Sequence, residues 1–301
     1  MAIKEDRVMM AIGLMLVAYL TFSFIDTSVK WLSVLGLHAL QLAFMRYAAH
    51  FFISSFLILR ETGPRGLLDK TYPWQTIFRG SLIMFSTVLN FISLKYLPLT
   101  ITSTILFSAP LIVCALSWPV LGERVGTWRM SAILVGFIGI VVTIRPFDES
   151  FHPAMFLSLT AAFSFALYSV MTRKLAGLVA TNTMQFWSGA VGFFALLPFA
   201  VSTWSNPETT LDWVLLLTLG FWGWAGHQLL TIAHRFAPAS VLSPFAYSFL
   251  LYLTVWSYFL FDHLPDRWTL TGASIIIAAG LVIWYRERQK SKQAAGLARL
   301  P

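Results

Sequence analysis

Carboxylates are scarce in this 301-residue chain: 13 Asp and Glu stand against 21 Lys and Arg, and charged residues make up only 11% of it. A soluble domain carries roughly 25% charged residues, so this chain has too little polar surface to coat a water-facing fold. The one cysteine, Cys114, lies in an apolar run, which excludes a disulfide framework and a cysteine-built zinc site. No Gly-x-x-x-x-Gly-Lys-Ser/Thr loop occurs, so there is no phosphate cradle for ATP. His-Glu-x-x-His and Gly-x-Ser-x-Gly are also missing, leaving hydrolysis without a motif. The paired intramembrane carboxylates of a proton pump are absent too, Asp26 being the one carboxylate inside an apolar run. Neither an enzymatic activity nor a cofactor or metal is expected.

What is present is apolar: 57% hydrophobic residues and a mean hydropathy of +0.73. The solvent that suits such a chain is the bilayer. Ten runs near 8–29, 38–59, 74–95, 98–120, 128–145, 153–172, 183–201, 212–233, 238–261 and 268–286 have spanning length. The run after Lys4 and Arg7 is expected to stay as a first helix, since it continues past Asp26 without a small-residue cleavage site. The surplus of positive charge lies in short connections and forms no single basic face, so no nucleic-acid partner is expected. With the N-terminus inside, 15 Lys and Arg fall in inner connections and four (Lys30, Lys95, Arg145 and Arg267) in outer ones. That split places both termini in the cytoplasm.

One plan is written twice. Pro98 and Trp128 return as Pro238 and Trp268, each 140 residues on, and Ser103, Ser108, Leu111 and Ser117 return as Ser243, Ser248, Leu251 and Ser257. Spacing preserved across a helix, a loop and the next helix marks a repeat. Five spans per half is an odd number, so the second half crosses the membrane in the opposite sense. The fold expected is an all-α polytopic membrane protein: ten transmembrane helices as two inverted five-helix repeats around a central cavity. The first repeat takes residues 1–147, the second 148–288 and a cytoplasmic tail 289–301.

Few side chains within the spans can carry chemistry. Tyr19, Ser23, Asp26 and Lys30 share one helix face. A charge at the bilayer centre costs about 2.5–3.5 kcal/mol, so Asp26 either faces a cavity or pairs with Lys30 one turn on. Arg46, one turn before His50, needs an oxygen cluster or an anionic substrate group. Gly80, Ile83, Thr87 and Asn90 form one stripe and Gly220, Gly223, His227 and Thr231 another. The glycines permit close helix approach, whereas Asn90 and His227 are expected to face the cavity, because lipid leaves their polar atoms unsatisfied. His227 and His234 share a face and are a second, weaker idea for proton relay. Ser243, Tyr168, Trp187 and Tyr247 complete the expected substrate site. The deep rings among them are walls on which a flat apolar solute stacks.

Leu94-Lys95-Tyr96-Leu97, Pro110-Leu111, Leu121-Gly122-Glu123-Arg124, Trp128 and Gly136-x-x-Gly139 resemble the EamA-type repeat of the drug/metabolite transporter superfamily. Arg46 falls where that family commonly keeps an arginine, and the second half departs from the pattern at Asp262-His263. The resemblance implies a basket of helices with spans 5 and 10 peripheral, and alternating access by bending near Pro98, Pro110, Pro238 and Pro244. It makes Glu123-Arg124 a structural tie. Within the superfamily the chain most resembles bacterial exporters of amino acids, aromatic ones above all. The expectation is therefore a monomeric secondary transporter exporting aromatic or other apolar amino acids. A drug or cationic-dye exporter, with Asp26 as charge partner, and a carrier of another metabolite such as a nucleoside are the alternatives.

Overall fold

The computed structural model of the chain describes residues 5–63, 72–121, 127–175, 178–237 and 242–297, and these residues are all-helical. The helices are α1 (Glu5–Val34), α2 (Ala39–Thr62), α3 (Pro73–Tyr96), α4 (Leu99–Leu106), α5 (Ala109–Leu121) and α6 (Thr127–Ile144). Then come α7 (Ala154–Leu175), α8 (Thr181–Ser202), α9 (Thr210–Phe236), the 3₁₀ turn η1 (Ser243–Tyr247), α10 (Ser248–Phe261) and α11 (Arg267–Leu297). Seven helical stretches among the described residues are long and apolar enough to cross a bilayer, and two shorter apolar helices, Met130–Ile144 and Phe245–Phe261, accompany them. With the 27-residue α9 they occupy the ten expected positions. Large apolar side chains such as Phe52, Trp74, Phe194 and Phe259 stand exposed around the perimeter, an arrangement that only a lipid surround tolerates.

The packing obeys the repeat. Shifting by about 140 residues exchanges α1 with α7, α2 with α8, α3 with α9, α4–α5 with η1–α10, and α6 with α11. Under that exchange the pair α1–α9 becomes α7–α3, α2–α9 becomes α8–α3, and α1–α10 becomes α7–α5; all of these pairs pack. The pairs α2–α8 and α6–α11 map onto themselves and pack as well. Gly80 and Gly220, one repeat apart, do the same work in each half. A Cβ at Gly80 would come within 3.2 Å of Ser188 Cα and Trp187 O on α8, and one at Gly220 within 2.3 Å of Ala49 Cβ and 2.8 Å of Arg46 O on α2. Such backbone proximity is how helices associate where lipid removes the hydrophobic drive.

The fourth and ninth spans are broken at matching points. α4 ends at Leu106, and a turn through Phe107 and Ser108 leads into α5. In the other half η1 ends at Tyr247 and α10 begins at Ser248. Pro110 has no N–H to offer the preceding turn and disfavours helix just before it, so the first break falls ahead of the proline. The second half has Leu250 at the equivalent position and makes the break as a tighter 3₁₀ turn that carries Pro244. Phe107 and Tyr247, exact repeat mates, touch across the break (ring centroids 5.2 Å apart).

Two buried clusters fill the interior. Val29, Leu32, Leu42, Phe91, Leu94, Leu216 and Leu219 join α1, α2, α3 and α9, while Ile105, Leu111, Ile140, Met155 and Ile276 join α4, α5, α6, α7 and α11. At one end of the bundle polar ties lace the connections together. Lys30 Nζ donates to Leu97 O (3.0 Å), Trp31 Nε1 to Asp212 Oδ1 (3.0 Å) and Gln41 Nε2 to Ser205 O (2.8 Å). Arg145 pairs with Asp266 at 2.7 Å. Asp212 also closes a capping box with Thr209 at the start of α9. The expected features at Gly122, Glu123, Arg124 and Pro238 lie outside the described residues.

Candidate functional site

The polar stripe of α1 turns inward. Ser23 is fully buried and accepts from Trp256 Nε1 of α10 (3.0 Å). Asp26 is 8% exposed and faces α3, where Asn90 Nδ2 donates to its two oxygens, 3.4 Å from each. Lys30, whose ammonium goes to Leu97 O, does not pair with Asp26. The carboxyl group therefore receives two long contacts from one amide, while Asn90 Oδ1 and the neighbouring Thr27 Oγ1 are buried without a hydrogen-bond partner. Such groups each cost about 1–3 kcal/mol when left unpaired.

Arg46 enters the same layer from α2. Nη1 donates to Thr87 Oγ1 of α3, which is in turn held by the carbonyl of Ile83 (2.9 Å) and by the Tyr47 hydroxyl (2.9 Å). The guanidinium lies 5.7 Å from the Tyr47 ring centroid and 5.9 Å from that of Phe91, within cation–π range. Gly223 of α9, whose added Cβ would lie 3.6 Å from Arg46 Nε, leaves space for it. Arg46 and Asp26 do not meet as an ion pair. A half-buried cation and a buried carboxyl group thus share one layer without forming an ion pair.

One helical turn along α2 the surroundings change. His50, Ser54, Leu57, Asn182, Gln185, Trp224, His227 and Gln228 line a narrow cleft between α2, α8 and α9. His227 contacts Phe22 edge-on (5.0 Å) and His50 (6.4 Å), forming one aromatic wall. His50 Nε2 and Trp224 Nε1 are buried without hydrogen-bond partners.

The remaining expected residues scatter. Tyr168 belongs to a separate assembly around Arg79 of α3, which is 3% exposed. Arg79 Nη2 donates to Tyr168 Oη (2.7 Å), Nε to Thr172 Oγ1 (2.6 Å) and Nη1 to Met184 O and Ser188 Oγ (3.1 and 3.0 Å). Its guanidinium also lies 4.4 Å from the Tyr168 ring centroid. Trp187 packs edge-on against Phe186 (5.7 Å), and its Nε1 is buried without a partner. Tyr247 lies in the break of the ninth span against Phe107, where Gly280 of α11 makes room for its hydroxyl. The backbone of Ser243 opens η1; its side chain, like those of Thr231 and His234, lies outside the described residues. The structure therefore gathers Asp26, Arg46 and Asn90, sets His227 one turn away, and takes Tyr168, Trp187 and Tyr247 elsewhere. Sequence reasoning passed over Trp224 and Gln228 as cleft residues, and over Arg79 as a hub. A basic residue within a span was the signal for Arg79.

The sequence model of the EamA-like transporter family matches residues 9–145 and again residues 152–285. The S-adenosylmethionine uptake transporter of Rickettsia bellii is 33% identical over 280 residues, covering 92% of this chain and 94% of that protein. The riboflavin transporter of Vibrio cholerae is 27% identical, covering 99% and 100%, and the pseudopaline exporter CntI of Pseudomonas aeruginosa is 25% identical, covering 92% and 97%. A crystal structure that is 17% identical shares the fold with a TM-score of 0.62, over 90% of this chain and 96% of its own. The relatives carry transporter names, of uptake and of export, and none of these three is named for amino-acid export. The double match, the repeat in the packing and the spanning helices agree: the chain belongs to the EamA-like transporter family and is a multi-pass membrane transporter, not an enzyme.

Proposed function

We propose that this transporter carries a solute with an α-amino-acid head group, and that Asp26 and Arg46 form the clamp for that head. The observation that carries the reading is the layer in which the buried Asp26 carboxyl holds only two long contacts and the half-buried Arg46 guanidinium binds Thr87, with no ion pair between them. A zwitterion supplies what both lack: its ammonium meets Asp26 with Asn90 beside it, and its carboxylate meets the planar fork of Arg46. Binding then replaces two poorly compensated charges with two charge-assisted contacts.

S-adenosylmethionine is the first solute to assay, since it has such a head and relatives of 31–33% identity are named for its uptake. Amino acids come second, and direction follows the gradients on the two sides. The expected bacterial inner-membrane location, inside termini, monomeric state and repeat boundaries near residues 147 and 288 belong to the same proposal. The test is counterflow in proteoliposomes loaded with S-adenosylmethionine, methionine, phenylalanine or riboflavin. Exchange of the headed solutes, lost in Asp26→Asn and Arg46→Gln, supports the clamp. Riboflavin, which has no carboxylate or ammonium, is the opposing case: its exchange in place of theirs overturns the reading.

A further inference from the structure

The cleft one turn beyond Arg46 belongs to no part of the clamp, yet it has the composition of a binding surface. Its walls are the rings of His50, His227 and Trp224, with Phe22 backing His227. Gln185 and Gln228 add amide groups at its edge. Two of its ring nitrogens, His50 Nε2 and Trp224 Nε1, are buried with no hydrogen-bond partner in the protein, although buried polar groups are nearly always bonded. Indole nitrogen can only donate, imidazole can do either, and the amides offer both. The occupant this describes is flat and carries hydrogen-bond acceptors on its rim.

Distance narrows it further. Along α2, His50 lies four residues and Ser54 eight residues past Arg46, which is about 6 and 12 Å of helix rise. A methionine or phenylalanine head held by Arg46 reaches only the near edge of the cleft. A nitrogen heterocycle joined to the head through a linker of several bonds reaches it; the cleft holds about 10 Å³ in this conformation, room for one water, so it widens to seat the ring. Resting on the clamp reading above, we infer that the cleft of His50, Gln185, Trp224, His227 and Gln228 is a nucleobase subsite, which selects purine-bearing amino acids over free ones. The ring stacks on one of the two imidazoles, whose planes stand 71° apart, and Trp224 Nε1 donates to a ring nitrogen.

The experiment measures displacement of radiolabelled S-adenosylmethionine from the full chain in nanodiscs by adenosine and, separately, by methionine. Both compete at wild type. Trp224→Phe keeps a ring and removes the donor, so it weakens adenosine by about tenfold, one hydrogen bond's worth, and leaves methionine unchanged. His50→Phe acts in the same direction. Failure of adenosine to displace the label at wild type removes the subsite, as does an equal weakening of adenosine and methionine by Trp224→Phe. Methionine binding without adenosine displacement leaves the clamp standing alone. Absence of binding by both S-adenosylmethionine and methionine overturns the clamp and the subsite with it.

Discussion

Removing the Tyr168 hydroxyl tests whether this residue belongs to the solute path or to the scaffold. Arg79 is a buried cation whose partners, Tyr168 Oη, Thr172 Oγ1, Ser188 Oγ and Met184 O, are all neutral. Tyr168→Phe retains the ring contact and strips one hydrogen bond from a charged donor, a loss of about 1.5–3 kcal/mol. Arg79→Met does something different. Ser188 Oγ already donates to Met184 O (3.0 Å) and Thr172 Oγ1 to Tyr168 O (2.7 Å), so both keep a partner. Only the phenol is orphaned, at about 1–3 kcal/mol, and relief from burying a charge offsets part of that. Once Arg79 is methionine, the hydroxyl has nothing to hold, and its removal becomes nearly neutral or favourable. The double variant is therefore no less stable than Arg79→Met alone, and the cycle yields a coupling of about 1.5–3 kcal/mol. Thermal unfolding in detergent, followed by size exclusion, measures all four proteins. Transport per folded molecule stays within about twofold of wild type for Tyr168→Phe, since its side chain contacts Arg79 and Phe165 and neither Asp26 nor Arg46. Additive losses, or a transport defect larger than the fold defect, refute the assignment of Tyr168 to the scaffold.

Three further outcomes follow from the same geometry. Asp26→Asn and Arg46→Gln each raise the KM for a headed solute by about 30- to 100-fold, the effect of leaving one half of a buried charge contact unmet, and initial-rate flux measurements read this directly. Gly220→Ala destabilises by about 1–3 kcal/mol through overpacking and displaces Arg46, because its Cβ would lie 2.3 Å from Ala49 Cβ and 2.8 Å from Arg46 O. Gly80→Ala, with its nearest atoms at 3.2 Å, costs less, so comparative melting and flux of the two variants rank Gly220 first. At Asp266, burial raises the carboxyl pKa, but hydrogen bonds from Thr269 and the Arg145 guanidinium outweigh this and hold it below the usual carboxylate range. A depressed folded-state value stabilises above the unfolded pKa near 3.9 and is lost as pH falls through the folded one. With Asp266 42% exposed the pair contributes at most about 1 kcal/mol, so Asp266→Asn lowers the melting temperature slightly at pH 7, and the difference shrinks as pH falls below the unfolded value.

The architecture was legible because lipid imposes simple rules on the chain. Length and apolarity mark the spans, and the Pro98/Pro238 and Trp128/Trp268 spacing marks the repeat. The inward turn of Asp26 and Asn90 followed from the cost of polar atoms in hydrocarbon. What hid was anything decided by a partner far along the chain. Tyr168 reads as a deep aromatic in isolation, and its role appears only when Arg79, 89 positions earlier, is found against it. Trp224 and Gln228 flank His227 on α9, and nothing in the sequence marks α2 and α8 as the helices that meet them there. The break at Phe107 falls ahead of Pro110, since proline acts on the turn before it, whereas the break at Tyr247 follows Pro244 and has Leu250 where the other half has proline.

The repeat divides labour between backbone and side chains. Gly80 with Gly220, and Phe107 with Tyr247, are mates that serve one purpose in both halves: close helix approach and a break at mid-span. Asp26, Arg46 and Asn90 have no charged or amide counterparts, as Ala166, Phe186 and Leu230 stand 140 residues on. Trp224, His227 and Gln228 come from the second half and have Met84, Thr87 and Val88 opposite them. Two equivalent scaffolds give inward- and outward-facing arrangements similar energies, as exchange of access requires. Symmetric recognition would instead offer the solute two competing poses. On the proposed reading, placing both charges in one half and most of the cleft's hydrogen-bonding side chains in the other leaves a single orientation that satisfies both ends of an elongated zwitterion.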